Sequence, residues 1–317
     1  MAGSRTVALR VENVFISPSF LCCCLFFLLA NVACARAAQD RTLSIGGGTI
    51  DVTLPTGSLD VSQNDIMDWV TRAANAVTTY YGRYPAKHLT LKISADDRNG
   101  VHHGVTYPED GGLIVISLGR HTAKSDLETD WMLTHEMIHL AFPSMPRQQH
   151  WIEEGLSVYV EPVARVQAGQ LAPEEMWFET VRDMHQGEPQ ADDAGLDHTH
   201  SWGRTYWGGA LFALVADVRI REQTHNRVGL QDALRAILNH GGVITEDWEI
   251  ERALQMGDEA TGTKVLVELY HEMRDKPDAI DLAEMWKKLG ITVDGKTVKF
   301  DSSAPEAAIR EAITGKK

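Results

Sequence analysis

The chain has 317 residues, with 44 acidic against 30 basic side chains and a formal charge of −14. That balance argues against nucleic acid or an anionic membrane surface as partner, since both demand a basic face. All four cysteines, Cys22, Cys23, Cys24 and Cys34, lie within residues 1–37, so beyond that segment cysteine ligation, cysteine nucleophiles and disulfides are excluded.

Arg5 and Arg10 precede an apolar run over residues 20–35 that ends in the small residues Ala33-Cys34-Ala35, which reads as a secretory signal covering residues 1–37. A permanent anchor would need about 20 apolar residues. Asn31 stands where a lipoprotein signal around Cys34 wants an aliphatic residue. The expected location is secreted or periplasmic, with no stable membrane insertion once the signal is gone. Removing it takes away Arg5, Arg10, Arg36 and Glu12 and leaves 27 basic against 43 acidic residues. The other 280 residues are enough to bury a core without disulfides.

After the signal, residues 42–54 include the alternating Thr49-Ile50-Asp51-Val52-Thr53-Leu54, a strand pattern. Ser62 or Asn64 is set to cap a helix running to Tyr81, with Ile66, Val70, Ala73, Ala74 and Val77 at helical spacing. Residues 89–93 and 113–118 read as strands, the latter almost wholly apolar and so well buried. A polar, glycine-bearing segment, residues 95–112, lies between them.

Ser125 and Glu128 form a capping-box pattern at the head of the next helix, which Pro143 is expected to stop. That helix carries Leu133-Thr134-His135-Glu136-Met137-Ile138-His139-Leu140. Residues four apart share a helix face, so His135 and His139 can offer two imidazoles to one metal ion with Glu136 beside them, the zincin arrangement. Trp131, Ile138 and Phe142 are expected on the ligand side. A catalytic zinc takes three protein ligands and keeps one position open, and Glu154 is the best candidate for the third. His150 is the alternative; Phe142 and Met145 occupy the places where a metzincin has glycine and histidine.

A second helix, from about Ile152 to Glu161 with Pro162 stopping or kinking it, places Ser157, Val158 and Glu161 on the Glu154 side. Ser157 or Glu161 reads either as a partner of a metal ligand or as an ordinary helix-surface residue. Helical patterns follow over residues 210–222, 230–238, 246–256, 261–273 and 281–289, with Gly241-Gly242 separating the second from the third. Asp294-Gly295 centres a hairpin over residues 291–300, and a last helix spans about 305–313.

The stretch Trp151-Ile152-Glu153-Glu154-Gly155-Leu156-Ser157-Val158-Tyr159 resembles the W-x-x-E-G-x-x-x-Y segment of the gluzincin aminopeptidases. Thr205-Tyr206-Trp207-Gly208-Gly209-Ala210, continuing to Asp217, Ile220 and Arg221, resembles the Y-x-K-G-A helix of the glycyl aminopeptidase family, and Ala304-Pro305-Glu306-Ala307-Ala308-Ile309-Arg310 is similar to that family's end. The likeness covers roughly residues 104–310. It implies that His135, His139 and Glu154 hold Zn2+ and that Glu136 is the general base, taking a proton from the attacking water and passing it to the leaving amine. It further implies that Tyr206 donates to the developing oxyanion.

Three features depart from the family. Gly208 replaces its lysine, its glycine-rich stretch upstream of the zinc helix is absent, and the loop from His139 to Glu154 is shorter. Glu109-Asp110-Gly111-Gly112-Leu113-Ile114 loosely resembles the wider alanyl group's amine-binding motif, so Glu109 is either an anchor for a free amino terminus or a turn carboxylate. In Asp197-His198-Thr199-His200, one histidine is either a second oxyanion donor or part of a solvated loop.

The expectation is an α+β, zincin-like fold. A mixed-sheet lobe, residues 38–145, ends in the zinc helix; a mainly helical lobe, residues 146–317, carries Glu154 and Tyr206; and the active site lies between them. The expected function is an exported zinc peptidase acting on peptides or proteins, with exo- or endopeptidase action open. The competing class is a non-catalytic zincin-like binding protein, against which Glu136 and Tyr206 speak.

Overall fold

The structure is a computed structural model and describes residues 40–315. The expected signal segment lies outside those residues.

The first strand pattern resolves into a hairpin, β1 (Asp40–Ile45) and β2 (Gly48–Thr53), pairing Leu43 with Ile50. The turn needs Gly46, which has φ 55°, because a Cβ there would come within 2.7 Å of the Tyr84 nitrogen. Helix α1 (Gln63–Tyr81) begins as read: the Ser62 hydroxyl accepts from Asp65 N, and the Asp65 carboxylate accepts from Ser62 N, both at 3.1 Å. Its apolar stripe, including Ile66, Val70, Ala74 and Val77, is completely buried.

Strands β3 (His88–Asp96), β4 (Val101–Tyr107) and β5 (Leu113–Gly119) complete a five-stranded sheet in the order β1-β2-β3-β5-β4. β2, β3 and β5 run parallel, while β1 and β4 are antiparallel to their neighbours, so the sheet is mixed. β4 is the element the sequence conceals. Val-His-His-Gly-Val-Thr-Tyr has no clean alternation, and the register slips between His102 and Gly104, where His103 takes φ 59°. Bulged, polar strands are typical of sheet edges, and here the edge lies beside the metal helix.

The capping expectation is corrected. Asp130, extended at φ −60° and ψ 135°, separates α2 (Lys124–Thr129) from α3 (Met132–His139). Asp126, not Glu128, caps α2 by accepting from Ala123 N. Asp130 heads the metal helix, its carboxylate accepting from Met132 N at 3.2 Å, Leu133 N at 3.1 Å and Trp69 Nε1 at 2.8 Å. α3 ends at His139, four residues before Pro143.

Helix α4 (His150–Gln167) passes through Pro162 instead of stopping there. A proline in a helix interior costs about 3 kcal/mol, whereas burying one large aliphatic side chain gains about 1.5–3 kcal/mol. α4 buries Ile152, Leu156, Val160 and Val163 almost completely, so packing wins. α5 (Pro173–Asp183) was not foreseen, although Pro173 followed by Glu174 and Glu175 is a first-turn signature.

The rest is helical: α6 (Gly209–Thr224), α7 (Leu230–Asn239), α8 (Ile250–Thr261), α9 (Val265–Met273), α10 (Leu282–Leu289) and α11 (Ala307–Thr314). The expected hairpin is present as β6 (Ile291–Asp294) and β7 (Thr297–Phe300), pairing Val293 with Val298. The first half of α6 is apolar all round, and Ala210 to Ala216 are each at most 3 % exposed, so that half lies at the axis of the helical part. The fold is α+β, a mixed sheet followed by a mainly helical region. No helix of the described residues is long and apolar enough to cross a membrane.

Candidate metal centre

His135 and His139 stand one turn apart on α3 and both turn Nε2 toward one carboxylate oxygen. Glu154 Oε2 is 3.2 Å from His135 Nε2 and 3.6 Å from His139 Nε2. One ligand atom from each of the three lies within 4.8 Å of the others. The loop after α3 brings Glu154 back: Ser144 N donates to Glu246 O, and its hydroxyl donates to Ile244 O, which fixes the turn before α4.

Two glycines then set how α4 meets α6. A Cβ on Gly155 would overlap the Gly209 backbone, and one on Gly209 would overlap the carbonyl of Trp151. The glycine after Glu154 is therefore a helix-crossing residue, and the crossing carries the segment before α6 to the carboxylate. That segment, Gly203–Gly208, is a π-helical turn holding Tyr206.

The electrostatics follow from this convergence. Burial alone would raise the Glu154 carboxyl, but hydrogen bonds from His135, His139 and His150 overcome it and hold the group well below the usual carboxylate range. For His139 burial opposes the charge, yet Glu154 and Glu136 raise its pKa. The same negative field attracts a divalent cation. The pKa of Tyr206 is raised by burial and by the nearby Glu154 and Glu136 carboxylates.

His150 is not in the converging set. It sits behind Glu154, with Nε2 3.2 Å from Oε1, and its Nδ1 is 3.0 Å from Glu153 Oε2. These two hydrogen bonds push its pKa up to about 10. Ser157, one turn along α4 and 1 % exposed, places its hydroxyl 3.3 Å from His139 Nδ1. His135 Nδ1 is buried and has no hydrogen-bond partner among the described residues. Two Nε2 atoms and one ionised carboxylate in a buried corner fit a zinc ion.

Glu136 is 7 % exposed and turns to the sheet edge. Its Oε2 accepts from the Thr106 hydroxyl at 2.6 Å, and a Cβ on Gly104 would lie 2.6 Å from its Cγ. Gly104 and Thr106 are alternate residues of β4, so one strand face provides both the space and the hydrogen bond. Sequence reasoning missed both. A Gly-x-Thr pair in a polar segment was the only trace.

A cleft of about 940 Å3 is lined by His135, Glu136, Glu154, Tyr206, Trp131 and Trp202, among others. Ile138 and Phe142, expected on the ligand side, are instead core residues at 2 % and 5 % exposure. Glu109 is exposed and outside the cleft lining, as a turn carboxylate would be. His198 pairs with Asp275 at 2.9 Å and His200 is exposed, whereas their neighbour Asp197 is buried and accepts from Trp151 Nε1, Tyr270 OH and Gln149 Nε2. Glu161 bonds Arg165 at 3.0 Å and not a ligand; burial pushes its carboxyl up to about 7 despite that partner. A Cβ at Gly208 would come within 2.9 Å of Leu196 Cδ2, so the family lysine would require the Leu196 side chain to shift. Asp217 and Arg221 form a buried pair at 2.8 Å, and Asp217 also accepts from Tyr159 OH, which makes these motif residues braces of the α4–α6 contact.

No protein-family model and no curated protein sequence matches the chain. Among solved structures it is similar to an aminopeptidase N family protein from Idiomarina loihiensis, at TM-score 0.60 and 13 % identity over 85 % of this chain and 53 % of that one. An M1 zinc metallopeptidase from Deinococcus radiodurans aligns at TM-score 0.47 and 11 % identity, over 76 % of this chain and 54 % of the other. The chain thus spans about half the length of the structures it matches. The first of these likenesses places the fold among zincin-like proteins.

Proposed function

We propose that the chain is a zinc-dependent peptidase, exported by its N-terminal segment, that hydrolyses peptide bonds of peptides or proteins with water. One observation carries the reading: His135, His139 and Glu154 converge while Glu136, adjacent in sequence to one of them, points elsewhere and is left for proton transfer. His135, His139 and Glu154 would hold the zinc. When bound, zinc supplies a Lewis acid that polarises the scissile carbonyl and acidifies water. The name of the similar structure from Idiomarina loihiensis, an aminopeptidase N family protein, supports the same reaction class.

The chain's own residues account for the proton movements. Glu136, held by Thr106, takes the proton from water at its carboxylate and returns it to the departing amine. Tyr206, a phenol with an ordinary pKa of about 10, is protonated at neutral pH and so is a neutral donor for the oxygen that becomes negative. Replacing Tyr206 by Phe is expected to lower kcat by about 10²-fold, the cost of one oxyanion donor, with zinc content unchanged. Ser157 fixes the His139 ring through Nδ1, and Ser157→Ala is expected to weaken zinc affinity by about 10-fold, measured by competition with a chromophoric chelator.

Since Glu109 lies outside the cleft, the reading does not depend on a free amino terminus in the substrate. The experiment is peptide hydrolysis by the purified chain, abolished by chelation and restored by zinc. A chain that binds zinc and peptide yet never cleaves would be the non-catalytic alternative.

A further inference from the structure

Three large apolar or aromatic side chains are exposed among the described residues: Tyr107, Trp131 and Trp202, at 41, 50 and 61 %. Trp131 and Trp202 line the catalytic cleft, and each is attached to a member of the proposed machinery. Trp131 lies edge-on to His135, with ring centres 5.7 Å apart. Trp202 stacks on Tyr206 at 5.8 Å and 29°. The same fold buries Trp69, Trp151 and Trp177 to 2 % exposure or less, so leaving two indoles in water is not a shortage of core. Large rigid aromatics kept exposed at a cleft are recognition anchors, because covering them removes much apolar surface from water at little cost in side-chain entropy.

The chemistry of the occupant follows from the surroundings. Indole faces accept either an apolar side chain or a cation. Of the carboxylates lining the cleft, Glu153 is paired with His150, Glu161 with Arg165 and Asp183 with Arg182, and Glu175 and Glu179 stand on α5, whereas the rings that touch the two indoles are those of His135 and Tyr206 and not carboxylates. Val105, Met132 and Val158 add apolar lining. Trp131 and Trp202 adjoin the groups that would hold the reacting carbonyl, so the side chains they meet are those next to the bond being cut.

Resting on the peptidase reading, we propose that Trp131 and Trp202 are specificity residues that select peptides with large apolar or aromatic side chains flanking the scissile bond. The test uses the full zinc-loaded chain and matched peptides whose two flanking residues are both Phe, Ala, Lys or Glu, with cut sites located by mass spectrometry. The Phe peptide is expected to exceed the Ala peptide by about 10-fold in kcat/KM, mostly through KM, with Lys and Glu no better than Ala. Trp131→Ala and Trp202→Ala each bring the Phe-to-Ala ratio toward one, whereas Trp131→Phe and Trp202→Phe retain most of it. A Lys peptide that leads, a wild-type ratio near one, or a ratio unmoved by both alanine variants overturns the proposal. The same ratio is read as peptide affinity in Glu136→Gln by fluorescence anisotropy. Phe-selective binding that needs the tryptophans, without hydrolysis by the wild type, keeps this assignment and rejects the peptidase reading. Binding without selectivity rejects the assignment.

Discussion

Glu136→Gln is expected to lower kcat by about 10³-fold, within the range general-base catalysis contributes, while KM and zinc content stay near the parent values. Glutamine fills the same space against Gly104, and its carbonyl oxygen can accept from Thr106 as the carboxylate does. Neither oxygen of Glu136 belongs to the three-donor cluster, so the metal is undisturbed. What disappears is the ability to take a proton near neutral pH. Steady-state kinetics on a peptide, alongside metal analysis of the same preparation, checks both halves. Undiminished turnover would mean that water is activated elsewhere.

Glu154→Ala acts on the other half of the centre. It removes the one anionic donor and leaves His135, His139 and His150 without their shared acceptor. Zinc affinity should fall by more than the roughly 100-fold that loss of an outer partner can cost, and hydrolysis should drop to background. The fold should persist, because the α4–α6 crossing depends on Gly155 and Gly209, and the brace on Asp217, none of which changes. Circular dichroism at matched concentration separates metal loss from unfolding.

The centre was legible in the sequence because helical periodicity places residues four apart together whatever surrounds them. His135 and His139 needed only that rule, and Glu154 needed a second helix returning within a short loop. Ser157, one turn beyond Glu154, follows from the same rule and meets His139. The elements that were hidden depend on partners distant in the chain. β4 has no fully buried residue and no clean alternation, and its role shows once Thr106 is seen against Glu136, 30 residues away. The true cap of the metal helix, Asp130, was masked by an apparent capping box at Ser125 and Glu128. Of the two readings of Pro162, a stop or a kink, the stop is overruled because the packing of the helix outweighs local propensity. The motif glycines looked like signatures of function; Gly155 and Gly209 are where two backbones touch, which is a packing constraint with a functional consequence.

The peptidase mechanism requires His135, His139 and Glu154 to hold a single divalent ion. Elemental analysis of the purified chain after dialysis tests it most directly, without reference to any substrate. About one zinc per chain is expected in the parent and in Glu136→Gln, and almost none in Glu154→Ala. A parent chain that carries no metal after zinc loading, or a Glu154→Ala chain that retains it fully, would contradict the account.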